Sequence, residues 1–350
     1  MAVSAPSTTV RLAAHTTLRL GGPATRLCAA RSADEVVAAV RDADGADEPV
    51  LLLGGGSNLV VADEGFPGTA VLLGSRGVRT DRRGDGTVLV TVEAGEDWDD
   101  VVAACVDDGL GGLECLSGIP GRSGATPVQN VGAYGVEVAD LLVDVDLYDR
   151  RSGRVREHVP AADLGLGYRS SVLKGRRDDA IVLRVRFALT GDGLSAPVRY
   201  AELARRLDVP VGERVPARAA RDAVLELRRG KGMVLDPDDH DTWSAGSFFT
   251  NPIVAVADAP DLGGLATWPA GEGMVKLSAA GLIQASGFDR GHPGPGGRVG
   301  LSSRHVLALT NRGTGRTDDL LALAREVRDG VAERTRVELH PEPVLVGCSI

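Results

Sequence analysis

The chain has few aromatic residues, 3% of the total, and only three lysines, Lys174, Lys231 and Lys276, although Lys and Arg together number 39. It lacks a run of basic residues, and its net charge of −9 argues against nucleic acid as a principal partner. No apolar stretch approaches the length of a membrane span, and residues 1–22 lack the continuous apolar segment of a secretory signal. The four cysteines, Cys28, Cys105, Cys115 and Cys348, show no CxxC spacing and form no ligand pattern with the six scattered histidines. They read as reduced thiols of a cytosolic protein, and no metal site is expected. What is present is 43% hydrophobic content over 350 residues, with 46 glycines and 18 prolines. That composition supports a large core cut by many loops, not a disordered chain.

Strands and helices mix throughout. The spacing of Val36, Val37 and Val40 predicts a short amphipathic helix over 34–44, leading into a buried strand at 50–53. Strands are expected at 58–62, 70–73, 88–93 and 180–189, with a helix over 97–108 stopped by Gly109. Segments 141–147 and 155–159 read as a hairpin. Helices follow at 201–207 and 217–229, then one opened by Thr317 as N-cap and carrying Leu320, Leu323, Val327 and Val331 on one face. A last strand is expected at 344–346. The fold class is α+β, with a domain boundary in the linker 190–197.

Four constellations could carry chemistry. Gly54-Gly55-Gly56-Ser57-Asn58 follows a buried strand, and its backbone suits either a pyrophosphate or a tight turn. A second glycine-rich stretch contains Gly118-Ile119-Pro120-Gly121 and then Gln129, Asn130, Gly132, Ala133 and Tyr134, whose amides could read ring heteroatoms of a cofactor. Tyr168-Arg169 places a planar cation beside an aromatic, an arrangement suited to a carboxylate. Ser247 stands between Gly246 and the pair Phe248-Phe249, which suits either a positioned proton donor or a hydrogen-bonded serine of a buried turn. Glu342 is flanked by Pro341 and Pro343, which suits either an aimed carboxylate or an exposed loop acid.

In this order the motifs resemble the UDP-N-acetylenolpyruvoylglucosamine reductase family, in its longer, type I form. The matching pieces are TLRLGGPA (17–24), GGGSN (54–58), SGIPG (117–121), PVQNVGAYG (127–135), GYRSSVLK (167–174), AGSFFTNP (245–252), AAGLIQASG (279–287) and HPEP (340–343). The resemblance implies an FAD-binding fold of the vanillyl-alcohol oxidase type over residues 16–194, in two lobes of about 16–75 and 76–194. A substrate-binding domain would follow over 195–350, its end returning Glu342 to the active site. It implies non-covalent FAD, NADPH as co-substrate and UDP-N-acetyl-3-O-(1-carboxyvinyl)-glucosamine as the molecule reduced, for peptidoglycan synthesis in the cytoplasm, by a monomer. Arg169, Ser247 and Glu342 then fall on the catalytic positions, and Tyr168, Tyr200, Lys231 and Asn251 on substrate-binding ones. The glycine loops and Gln129 to Tyr134 fall on cofactor contacts. Two departures from the family pattern are Arg122, where a small residue is usual, and Thr250, where lysine is common. A flavin oxidase of the same fold, or a non-catalytic flavin-binding module, remains the alternative.

Overall fold

The computed structural model describes residues 10–175 and 179–350. The start of the segment read for a secretory signal, residues 1–9, lies outside the described residues. The chain divides into two compact units. One comprises Leu27–Gly55 and Gly68–Val234; the other comprises the chain up to Arg26, Gly56–Pro67 and Leu235–Ile350. The expected boundary near residue 195 is therefore displaced to Val234. The reason is packing: Val198, Leu203, Val215, Ala220 and Val224 share one apolar cluster with Val90, Trp98, Leu116 and Phe187. Among the described residues, no helix is long and apolar enough to cross a membrane.

In the first unit, the strand Val50–Leu53 runs parallel to Phe66–Leu73, with Leu53 opposite Leu72. The helix Ala33–Gly45 starts at Ser32, whose Oγ accepts from the Glu35 N–H at 3.2 Å. Its buried face, Val36, Val37 and Val40, packs with Val71, Tyr148, Ile181 and Leu183. The last two side chains come from a five-stranded antiparallel sheet ordered Arg154–Pro160, Leu142–Asp149, Ala180–Thr190, Thr87–Glu93, Val78–Arg82. The hairpin read from the sequence is its edge, paired from Arg154 opposite Asp149. Past a register shift between Val182 and Arg184, Val185, Phe187 and Leu189 of Ala180–Thr190 enter the other cluster, where Trp98 of the helix Trp98–Asp107 meets Phe187 with ring centroids 5.6 Å apart.

In the second unit, Leu18, Leu20, Val60, Phe248, Phe249 and Ile283 share a core with the helix Thr317–Thr335. Leu320, Leu323, Val327 and Val331 of that helix are fully buried at the spacing expected of one face. Thr317 is its first helical residue, not its cap. The free N–H groups of Thr317 and Asp318 donate to the Asp63 carboxylate at 3.2 and 3.1 Å, while the Thr317 hydroxyl donates to the Val61 carbonyl at 2.7 Å. Val344–Val346 pairs in parallel with Leu59–Val61, which immediately follows the GGGSN loop. This pairing brings the C-terminal HPEP segment alongside Asn58.

Candidate active site

The two glycine loops approach closely at Gly55 and Gly121. A side chain on Gly55 would place its first carbon 2.7 Å from the Gly121 Cα, so Gly55 requires hydrogen. Gly56 has φ +60, and a β-carbon there would lie 1.9 Å from the His15 carbonyl oxygen. The chain passes from one unit to the other between these two glycines. Gly118, at φ +70, donates its N–H to Asp99 Oδ1 at 2.6 Å. Asp99 is in turn held by the two ends of the Arg221 guanidinium at 2.6 and 3.0 Å. Burial raises the Asp99 pKa, but the Arg221 and Gly118 hydrogen bonds outweigh it and hold the carboxyl below its ordinary value. Asp99 and Arg221 carried no motif and were invisible in the sequence.

Asn130 differs from expectation. Its side chain is fully buried, donating to Glu137 Oε2 at 2.7 Å and to the Gly167 carbonyl at 3.2 Å, and accepting from the Ala139 N–H at 2.9 Å. An amide so committed has no edge left to read a flavin ring; it is a bolt between two loops. Gln129 beside it is half-buried.

The loop Asn130 grips carries Arg169. That arginine has φ +50, uncommon for a residue with a side chain. Lys174 Nζ donates to its carbonyl at 3.1 Å, and Gly167 and Ser170 pair across it. The guanidinium lies over the Tyr168 ring, 5.4 Å from its centroid, and donates to the Gly132 carbonyl at 2.9 Å. One of the three lysines is thus a backbone lock. Another, Lys231, sits 5.7 Å from the Tyr134 ring centroid and pairs with Glu202 at 2.5 Å. Tyr134 meets Tyr200 edge-on at 5.5 Å, and burial pushes the Tyr134 phenol up to about 12. Tyr134, Tyr200, Lys231 and Glu202 therefore form one cluster, of which the sequence named all but Glu202.

Ser247 and Glu342, 95 positions apart, are neighbours. Phe248 is anchored by its N–H to Leu307 O at 2.7 Å, and its carbonyl accepts the Glu342 N–H at 2.8 Å. Phe249 pairs with Pro341, and the Thr250 N–H donates to the His340 carbonyl at 3.1 Å. Asn58 Nδ2 donates to the Glu342 carbonyl at 3.4 Å, and the Val344 N–H to the Asn58 carbonyl at 2.9 Å. Both phenylalanines are 1% exposed, whereas Ser247 is half-buried with its hydroxyl unbonded to any described residue. Asn251 lies close by, its Oδ1 accepting the Ala279 N–H at 2.9 Å at the start of the helix Ala279–Ala285, whose N-cap is Ser278. Ser247, Glu342, Asn58 and Asn251 belong to one unit; Arg169, Tyr168, Tyr134, Tyr200 and Lys231 belong to the other.

Close approach of Gly55 to Gly121 leaves no room there for a β-carbon, and glycine-rich backbone of this kind suits a dinucleotide pyrophosphate. This is the architecture of an FAD-binding flavoprotein, and an FAD binding domain model matches residues 24–158. A second model, the UDP-N-acetylenolpyruvoylglucosamine reductase C-terminal domain, matches residues 236–346. The chain is 63% identical to the UDP-N-acetylenolpyruvoylglucosamine reductase of Saccharopolyspora erythraea, over 97% of this chain and 95% of the relative. It is 56% identical to that of Salinispora arenicola, over 99% and 97%. Among solved structures, the reductase (MurB) from Thermus caldophilus superposes with a TM-score of 0.66 at 28% identity, covering 96% of this chain and 97% of the other. The chain belongs to the UDP-N-acetylenolpyruvoylglucosamine reductase family.

Proposed function

We propose that Arg169, Ser247 and Glu342 carry the reduction of UDP-N-acetylenolpyruvoylglucosamine to UDP-N-acetylmuramate, which this chain, as a member of the family, catalyses with FAD and NADPH. FAD, when bound and reduced by NADPH, supplies the hydride that the enolpyruvyl double bond accepts. The protein's own task is to stabilise the charge that then develops and to deliver one proton. Arg169 offers a bidentate fork to the substrate carboxylate, into which that charge spreads. Its unusual backbone, held by Lys174 and the Asn130 bolt, presets the fork before substrate arrives. Ser247 holds the proton destined for C2, and Glu342 acts beside it as acid–base partner.

The observation that carries this assignment is the 2.8 Å hydrogen bond from Glu342 N–H to Phe248 O, which fixes the glutamate next to the serine by backbone. Tyr168, Tyr200, Lys231 and Asn251 bind the UDP-sugar. Gly54 to Asn58, Gly118 to Gly121, Gln129 and Gly132 to Tyr134 line the flavin, with the Asn130 side chain serving the fold. The enzyme works as a cytoplasmic monomer, without nucleic acid or membrane partners. The test is to follow flavin reduction by NADPH and flavin reoxidation by the enolpyruvyl sugar separately in a Ser247 variant; loss confined to the second step supports the assignment.

A further inference from the structure

A hollow of about 370 Å³ opens beside the first glycine loop. Ala30, Leu72 and Leu73 give it apolar walls, and three arginines, Arg31, Arg76 and Arg122, also line it. It lies where the strands Ala24–Ala30 and Phe66–Leu73 end side by side, the Gly74 N–H donating to the Ala30 carbonyl at 2.8 Å. The carboxyl ends of strands in open sheets are where ligands settle. A volume of this order is that of a small-molecule site.

Arg122 carries a buried nitrogen without a partner among the described residues. Its Nε is enclosed by protein and donates to nothing among the described residues. Its Nη1 reaches Asp97 only at 3.5 Å, whereas Arg76 has Glu96 at 3.0 Å. A buried guanidinium N–H without an acceptor is costly, and a planar fork next to apolar walls is matched by a nucleotide, whose phosphate meets the fork while its flat base meets the walls. Arg122 is also fixed relative to the flavin loops. It follows Gly121, which meets Gly55, and its Cβ and Cγ lie 3.4 Å from where a Gly54 side chain would begin. Backbone pairing with Asp97 holds it extended.

We propose that Arg122 grips the adenosine diphosphate half of FAD, whose adenosine occupies this hollow, and so sets how tightly this chain retains its flavin. The proposal rests on the flavin-binding reading above. The same chemical group occurs in NADPH, but contact with Gly54 ties Arg122 to the loop that takes the flavin pyrophosphate. Arg122 touches no reacting atom in this scheme; it holds the cofactor's far end.

The experiment compares the full-length parent with Arg122→Ser and Arg122→Lys. FAD and FMN affinities of the apoproteins are measured by quenching of flavin fluorescence, with ADP and adenosine 2′,5′-bisphosphate as competitors. Arg122→Ser should weaken FAD at least about tenfold, leave FMN within about twofold, and lose competition by ADP; lysine should restore part of it, as a point charge without the fork. Circular dichroism melting of each apoprotein establishes that the variants fold, and lysine carries the comparison if serine does not. Unchanged FAD affinity overturns the proposal. So does equal weakening of FAD and FMN, which would mean a distorted loop. A raised KM for NADPH with FAD affinity intact, and competition only by the 2′,5′-bisphosphate, would assign the arginine to the other dinucleotide and equally overturn it. Failure of the parent to bind FAD at all would instead remove the flavin reading itself.

Discussion

Glu342 donates its backbone N–H to the carbonyl of Phe248 at 2.8 Å, so a proline-flanked acid near the C-terminus is stitched to the residue after Ser247. Backbone, not side chain, makes this join. Strand pairing of Val344–Val346 with Leu59–Val61 extends the same stitch to Asn58.

Ser247→Ala should leave bleaching of the flavin by NADPH near the parental rate, because that half-reaction needs no proton at the substrate's C2. Reoxidation by the enolpyruvyl sugar should slow by roughly 10²–10⁴-fold, the usual cost of a removed general acid. Cysteine should recover part of the rate. Stopped-flow absorbance on pre-reduced enzyme reads the second step, and parental reoxidation in the alanine variant would leave Ser247 as a turn residue only.

Lys231→Ala should weaken the UDP-sugar by about 1–3 kcal/mol, the range for a lost charged hydrogen bond. Glu202 pairs with Lys231, so the variant also frees a carboxylate beside the Tyr134–Tyr200 pair. Lys231→Ala with Glu202→Gln should then bind substrate better than the single variant. Titration of the substrate by flavin absorbance change decides; unaltered affinity in Lys231→Ala would remove the lysine from the site.

Asp99→Asn should loosen the Gly118 turn and cost about 1–3 kcal/mol of stability at neutral pH, as a charged acceptor is lost to both Arg221 and the Gly118 N–H. The Asp99 carboxyl is held below its ordinary value, so its contribution is complete above the unfolded-state pKa of about 4 and vanishes as pH falls through the lower folded value. The parent–variant gap in urea midpoint should accordingly be constant from pH 8 to about 5 and close below about pH 4. A gap that persisted in acid would place the effect in packing, not charge.

Flavin should leave the protein on denaturation. Neither Gly54–Asn58 nor Ser117–Gly121 contains histidine or cysteine, and burial pushes the neighbouring Cys115 thiol up to about 12, leaving it without nucleophilic thiolate. Acid precipitation should release yellow colour to the supernatant. Flavin that stayed with a washed, denatured pellet would show a covalent tether.

Much of this protein is local in origin and was legible as such. The valine spacing of the helix Ala33–Gly45, the apolar run Val50–Leu53 and the glycines that admit positive φ each act over a few residues. The motifs around Ser247, Arg169 and Glu342 were recognisable for the same reason. Long-range contacts were not. Asp63, not Thr317, satisfies the first N–H groups of the last long helix, from 254 positions away. Asn130, read as a cofactor amide, became a buried bolt because three partners from separate loops converge on it. Asp99, Arg221 and Glu202 gained roles only when packing put charges within hydrogen-bond reach. The boundary moved from residue 195 to Val234 because the helices Ala201–Leu207 and Ala217–Gly230 bury their apolar faces in the core before them. Periodicity tells which face of a helix is apolar; only the folded chain decides which core receives it, since burial is non-directional and the partner surface is set by tertiary contacts.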